Sequence, residues 1–313
     1  MISFGARLFK LLLRIYTYPY RKKHMSLSRS VRVKSDRYVS PKGTAFSVRA
    51  YGGVRTEIFV PDNARRDRLI VMFHGGGHTR GMNDMYRKAA ASYATATGCE
   101  VRAIDYTPGA DLVYPSVHDE CLRAYDAIAD DAADKADKKI VCIGDSFGVG
   151  LMLYTCLKRR DVAKPLPSAL VSVSAYVDLA ASGESYRKNC YSDPMYSLPR
   201  GMKFRDNEHF IRRRTPYAAG TDEKDPYLSP AYADFTGMPR MLVICGDCET
   251  SESDSDMLHS AARRAGTDVT LRKYRGMFHD FMYIAPRLKE SKRAISEIAG
   301  FILDSGSGGA GRR

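Results

Sequence analysis

From residue 68 onward the chain alternates between short apolar runs and longer stretches with helical spacing. Arg68–Phe73 (RLIVMF), 100–105 (EVRAID), 139–143 (KIVCI), Ala169–Val173, 241–245 and Val269–Tyr274 are runs of five or six residues dominated by apolar side chains. All predict strands, and the unbroken apolar run RLIVMF, ending in a glycine cluster, predicts one buried on both faces. Between them, 82–97 is Ala-rich. Residues 115–133 carry Val117, Cys121, Leu122, Tyr125 and Ile128 at helical spacing, and 149–157, 254–265 and 295–303 predict further helices. Upstream, 46–60 alternates around Gly52-Gly53, which predicts two antiparallel strands joined by a tight turn. The expected fold class is α/β: a mostly parallel twisted sheet with helices on both faces.

Three stretches break the rhythm. Residues 180–222 are polar, irregular and rich in Arg and Lys, and an insertion of that size often covers a site. The first twenty residues place Phe9, Leu11, Leu12, Leu13, Ile15 and Tyr16 among Arg7, Lys10 and Arg14. This predicts a basic amphipathic helix. No run is long and uncharged enough to span a bilayer, and no small-residue cleavage site follows. Two readings stand: a lid over the body, which the sequence favours, or peripheral contact of residues 1–23 with an anionic membrane surface. The Gly/Ser-rich tail 305–313 predicts a flexible end.

Charge and cysteine content narrow the class. Residues 1–40 hold ten Lys/Arg against one acid, while the remaining chain is nearly balanced, so the body does not read as a nucleic-acid binder. The seven cysteines, at 99, 121, 142, 156, 190, 245 and 248, are odd in number and scattered. No disulfide framework is implied, which points to a reducing, cytoplasmic setting. Cys245 and Cys248 have CxxC spacing, but no second pair or His cluster completes a zinc site.

The chemistry begins at Gly144-Asp145-Ser146-Phe147-Gly148, between a predicted strand and a predicted helix. This is the G-x-S-x-G elbow in its proper context, a turn that lifts the serine above the sheet at a helix N-terminus. His74-Gly75-Gly76-Gly77 follows the RLIVMF strand, and a glycine run there lets backbone N–H groups approach a substrate oxyanion, with the Phe147 N–H as a further donor. His74 itself reads as an anchor of that loop. A serine nucleophile needs a base and an orienting acid, in the chain order Ser, acid, His. His209, His259 and His279 follow Ser146. His259 falls in a helix and His209 in the insertion, whereas His279 lies in a loop after the last predicted strand. The loop after 241–245 offers Asp247, Glu249, Glu252 and Asp254, and composition does not choose among them.

Taken together, HGGG at 74–77, Asp105-Tyr106, Tyr114-Pro115 with Asp119, GDSFG at 144–148, Asp225-Pro226 with Ser229-Pro230, and Gly276-Met277-x-His279 make the chain resemble the hormone-sensitive-lipase-like esterases of the α/β-hydrolase superfamily. The likeness runs from about residue 68 to 281. It implies an α/β-hydrolase fold with a helical cap: 1–45 and the insertion 180–222 covering a catalytic domain of 46–304. It implies Ser146, Glu249 and His279 as catalytic triad, with Asp247 the second choice of acid, and Gly75, Gly76 and Phe147 as oxyanion hole. The implied activity is a carboxylesterase acting on short- to medium-chain acyl esters through an acyl-enzyme, with a small-molecule ester as partner and no metal or cofactor. An amidase or acyltransferase with the same triad, or a ligand-binding relative, is the alternative. Two departures stand out. Phe147 replaces the usual small residue after the nucleophile, and the loop after HGGG (His78-Thr79-Arg80-Gly81) is unusually polar. The sequence leaves oligomeric state open, a homodimer included.

Overall fold

In the computed structural model, residues 2–22, 38–109, 111–135, 138–199, 201–207 and 216–304 are described. The flexible tail expected at 305–313 lies outside them, as does His209. Eight strands form one sheet: β1 (Thr44–Tyr51), β2 (Val54–Pro61), β3 (Arg68–Phe73), β4 (Glu100–Ile104), β5 (Lys139–Asp145), β6 (Ala169–Val173), β7 (Arg240–Gly246) and β8 (Val269–Tyr274). Their spatial order is β1-β2-β4-β3-β5-β6-β7-β8. β1 and β2 are antiparallel to their neighbours, and every pairing from β4 to β8 is parallel.

Among the described residues the α-helices are α1 (Phe4–Lys22), α2 (Asp84–Thr97), α3 (Ser116–Lys135), α4 (Phe147–Asp161), α5 (Ser185–Lys188), α6 (Glu252–Arg264), α7 (Phe281–Ile284) and α8 (Lys289–Leu303). They divide between the two faces of the sheet. Leu69, Val71 and Phe73 of β3 pack with α3, α4 and α6, while Ile70 and Met72 pack with α2, α7 and α8. This is the period-two alternation of a strand buried on both sides. The central strand β3 is buried at all six positions, which explains why it reads as an unbroken apolar run. Asn83 caps α2 by accepting from the N–H groups of Met85 and Tyr86.

Three helices differ from expectation. α8 begins at Lys289, earlier than the predicted 295, because the inner face of its first half is built from Ser291 and Ala294, which carry little apolar signal. α7 and α5 are single turns with no sequence periodicity to reveal them.

The insertion has a small core of its own, Ala181, Tyr186, Cys190 and Leu198, with Met202 and Phe204 against it. It is fastened to the loop after β7 by Asn189, whose side-chain amide donates to the carbonyls of Asp247 and Glu249, and by Ser185, whose hydroxyl donates to the Thr250 carbonyl. α1 lies across the insertion: Arg14 donates to the carbonyls of Tyr191 and Ser192, and Thr17 to that of Pro194.

Candidate active site

Four loops meet at the carboxyl ends of the parallel strands, after β3, β5, β7 and β8, which is where open α/β sheets carry their sites. The loop after β5 is a sharp turn. Ser146 has φ 49° and ψ −123°, a left-handed backbone that costs a non-glycine residue about 1–3 kcal/mol. Backbone hydrogen bonds hold it there: its N–H donates to Val173, and its carbonyl accepts from Val149 and Tyr176. The flanking glycines are required by contact. A β-carbon at Gly148 would lie 2.1 Å from the Phe73 carbonyl oxygen, and one at Gly144 would lie 2.7 Å from that of Gly148.

The turn brings Ser146 Oγ to 2.8 Å from His279 Nε2. The other ring nitrogen, Nδ1, is 3.2 Å from Glu249 Oε2. All three residues are buried. Glu249 Oε1 accepts from the Ser174 hydroxyl at 2.9 Å and from the Gly246 N–H. Ser174 Oγ in turn accepts from the Asp280 N–H at 3.0 Å. The carboxylate is thereby held between the ends of β6 and β7, and the loop carrying His279 is tied to the same hydroxyl. Asp280 Oδ2 lies 3.4 Å from His279 Nε2, farther than the serine oxygen. Tyr196, from the insertion, meets the His279 ring edge-on with centroids 5.0 Å apart.

The remaining acids of the loop after β7 point elsewhere. Asp247 Oδ1 accepts from the Gly276 N–H at 2.6 Å. Glu252 pairs with Lys273 and Asn189. Asp254 Oδ2 accepts from the N–H groups of Val177 and Asp178, and Oδ1 from the Tyr186 hydroxyl. Burial, and then the nearby Asp178, push the Asp254 carboxyl up to about 7. Sequence reasoning missed Ser174, Tyr196 and Asn189. Ser174 had one faint signal, a polar residue just past an apolar strand, on the edge where such sheets bind ligands.

The glycine loop lies against the elbow. A β-carbon at Gly75 would be 2.4 Å from Asp145 Oδ2 and 3.0 Å from the Ser146 β-carbon, so only glycine fits. Asp145 is buried beneath it. Burial first, and then the charge of Asp280, raise its proton affinity, while the Gly75 N–H opposes this by favouring the charged form. His74 Nδ1 is 2.8 Å from the Gly75 carbonyl, and its ring stacks on Tyr106 at 4.1 Å. The Tyr106 hydroxyl donates to the Gly75 carbonyl at 2.7 Å. The Asp-Tyr pair noted in the sequence thus divides its work: Tyr106 props the glycine loop, and Asp105 pairs with Arg55 at 3.1 Å.

Beside Ser146 the space is packed with rings. Phe147 is ringed by His78, His118 and Tyr217, with centroids 5.5 to 5.7 Å away. His78 stacks on Tyr217 at 4.5 Å, and His118 Nδ1 and the Tyr217 hydroxyl are 2.8 Å apart. Burial holds His78 down to about 4. Burial, and then His78, hold His118 down to about 3, so both are neutral at pH 7. Of the other sequence-marked histidines, His259 lies on α6. All seven cysteines are free, Cys245 and Cys248 included, and no group of three or more potential metal ligands occurs among the described residues.

The sheet order, the turn at 146 and the loops converging on it define an α/β hydrolase. The family model for the alpha/beta hydrolase fold matches residues 70–283, and the chain belongs to that family. Within it, the chain is similar to an acetyl-hydrolase of Streptomyces hygroscopicus, 31% identical over 246 residues that cover 78% of each protein. It is also similar to an esterase of Acinetobacter venetianus, 30% identical over 80% of this chain and 78% of the other. Among solved structures, EstE7, a hormone-sensitive-lipase homologue from a metagenome library, superposes with a TM-score of 0.79 at 28% identity, covering 96% of this chain and 98% of the other. An esterase of the bacterial hormone-sensitive lipase family gives a TM-score of 0.76 at 27% identity, over 93% and 97%. The resemblance read from the motifs, to the hormone-sensitive-lipase-like esterases, therefore holds.

Proposed function

We infer that the protein is a serine carboxylic-ester hydrolase whose nucleophile is Ser146, whose base is His279 and whose orienting acid is Glu249. The observation that carries this is the continuous contact from Ser146 Oγ through the His279 ring to Glu249, at 2.8 and 3.2 Å. With its Nδ1 proton directed at Glu249, His279 offers Nε2 as acceptor for the serine proton. Ser146 attacks the ester carbonyl carbon, and the proton passes to His279. The carbonyl electrons collect on oxygen, where Gly75, Gly76 and Phe147 are the proposed N–H donors. Phe147 opens α4, where a backbone N–H has no intrahelical acceptor. The alcohol leaves with the His279 proton, and water then attacks the acyl-enzyme by the same route.

The rings around Phe147 support a small acyl group. They fill the space next to the nucleophile with side chains that are neutral and fixed by stacking. Acetyl to butyryl esters are the expected substrates, in keeping with the acetyl-hydrolase name of one relative. Residues 1–45 and 180–222 are the proposed cap, since α1 and the insertion bind each other and Tyr196 reaches the His279 ring. The unpaired cysteines fit a cytoplasmic setting.

Replacing Ser146 with Ala tests the reading. The rate of p-nitrophenyl acetate hydrolysis is expected to fall by at least about 10⁴-fold with the fold intact. Wild-type turnover by the variant would remove Ser146 from the reaction.

A further inference from the structure

Helix α1 packs Ala6, Phe9 and Leu13 against the body, yet leaves a second apolar stripe uncovered. A helix packed on a globular core normally buries its apolar stripe and turns its charges outward. Here three cations, Lys10, Arg14 and Arg21, also face the protein. Lys10 donates to the Gly276 carbonyl, Arg14 to those of Tyr191 and Ser192, and Arg21 to Ser197, and Arg21 is itself buried. The outward side carries Phe4, Leu8, Leu11, Leu12 and Ile15, which are 80, 45, 56, 55 and 63% exposed, and its edge residues Leu11 and Ile15 line a cleft with Leu198 and Met202 of the insertion. Residues 8, 11, 12 and 15 follow the spacing that places side chains on one stripe. A contiguous apolar stripe of this kind on an otherwise polar surface marks an interaction face.

We propose that this outer face of α1 docks on an anionic lipid surface, lying in its plane. The charge around the stripe selects that occupant. Arg7 is exposed beside the stripe, and residues 22–40 of the sequence hold six Lys/Arg and one acid. Apolar insertion joined to a basic segment is the pairing that holds a protein on acidic headgroups. A second copy docking face to face would instead bring two such basic arms together, at an electrostatic cost. No described helix is long and apolar enough to cross a membrane, so α1 would lie on the surface. The docking would orient the site as well. The Phe9 ring stacks on Phe278, next to His279, with centroids 6.2 Å apart, and Ile2 lies against Gly276 in the same loop.

Sedimentation of the full-length protein with vesicles tests this independently of catalysis. Wild type is expected to pellet with vesicles containing phosphatidylglycerol, to stay in the supernatant with pure phosphatidylcholine, and to be released by high salt. The triple variant Phe4→Ser, Leu8→Ser, Leu12→Ser, which leaves the cleft between α1 and the insertion untouched, should lose binding by at least about tenfold. Its p-nitrophenyl acetate rate in plain buffer should be unchanged, which also reports that it folds. Equal binding by wild type and variant overturns the proposal. So does a wild type that ignores acidic vesicles, whether it runs as a dimer that the variant splits, which assigns the face to a second copy, or as a monomer.

Discussion

Asp247, Glu249, Glu252 and Asp254 stand within eight residues of one another, yet backbone direction sends each to a different partner. Glu249 meets the His279 ring, while Asp247 meets the Gly276 N–H. That difference was not legible in composition, because any of the four could orient an imidazole. It became legible only through the resemblance to the hormone-sensitive-lipase-like esterases, which implies Glu249. The distinction is testable. Glu249→Gln should lower kcat on p-nitrophenyl acetate by about 10³–10⁴-fold, since the imidazole loses the partner that sets its tautomer. Asp247→Asn should cost less than about tenfold, and the reverse ranking would move the orienting role to Asp247. Phe147 makes a second prediction at this scale. Truncating Phe147 to Ala should raise the hexanoate-to-acetate ratio of kcat/KM at least about tenfold, because it clears a ring from beside the nucleophile. It should also cost about 3–5 kcal/mol of stability, the usual price of a deleted buried ring. An unchanged ratio would mean that another wall limits the acyl group. Ser174 was legible to no motif, being a lone serine whose importance comes from lying between the ends of two strands.

At the scale of elements, most of the sheet was readable because parallel strands covered on both faces must be apolar at every position. β3 and β7 are buried nearly throughout and stand out as runs. The single-turn helices α5 and α7 were not readable, since one turn has no periodicity and is stable only through its packing. The orientation of α1 was not readable either. Its amphipathic pattern was plain, but which face meets the body depends on carbonyls of the insertion that capture Arg14 and Arg21. The elbow was readable because its geometry admits so few residues. Gly148→Ala places a methyl 2.1 Å from the Phe73 carbonyl oxygen, so α4 and β3 must separate. The urea midpoint should fall by the equivalent of about 3 kcal/mol. A variant as stable as wild type would show that the two backbones do not meet as described.

Across the whole molecule, buried titratable groups pull stability against pH in opposite directions. The folded state raises the Asp254 carboxyl from 3.8 to about 7. The folded chain therefore holds that proton more tightly than the unfolded chain. Its contribution is full below about pH 4 and is lost as pH rises through about 7, at up to about 1.4 kcal/mol per pH unit. His78 and His118 are lowered from 6.5 to about 4 and about 3, so they favour the fold above pH 6.5 and penalise it as pH falls toward those values. Asp254→Asn should remove the first slope alone. Between pH 4 and 7, urea-derived stability should then rise more steeply with pH in the variant than in wild type. Parallel profiles would show that Asp254 is not proton-linked to folding.

The central claim is that Ser146 is an activated hydroxyl, and covalent labelling measures that most directly. A fluorophosphonate probe followed by peptide mass mapping should place one adduct per chain on Ser146 in the wild type, and His279→Ala should slow labelling by orders of magnitude. An unlabelled wild type, or an adduct on any other residue, would contradict the account.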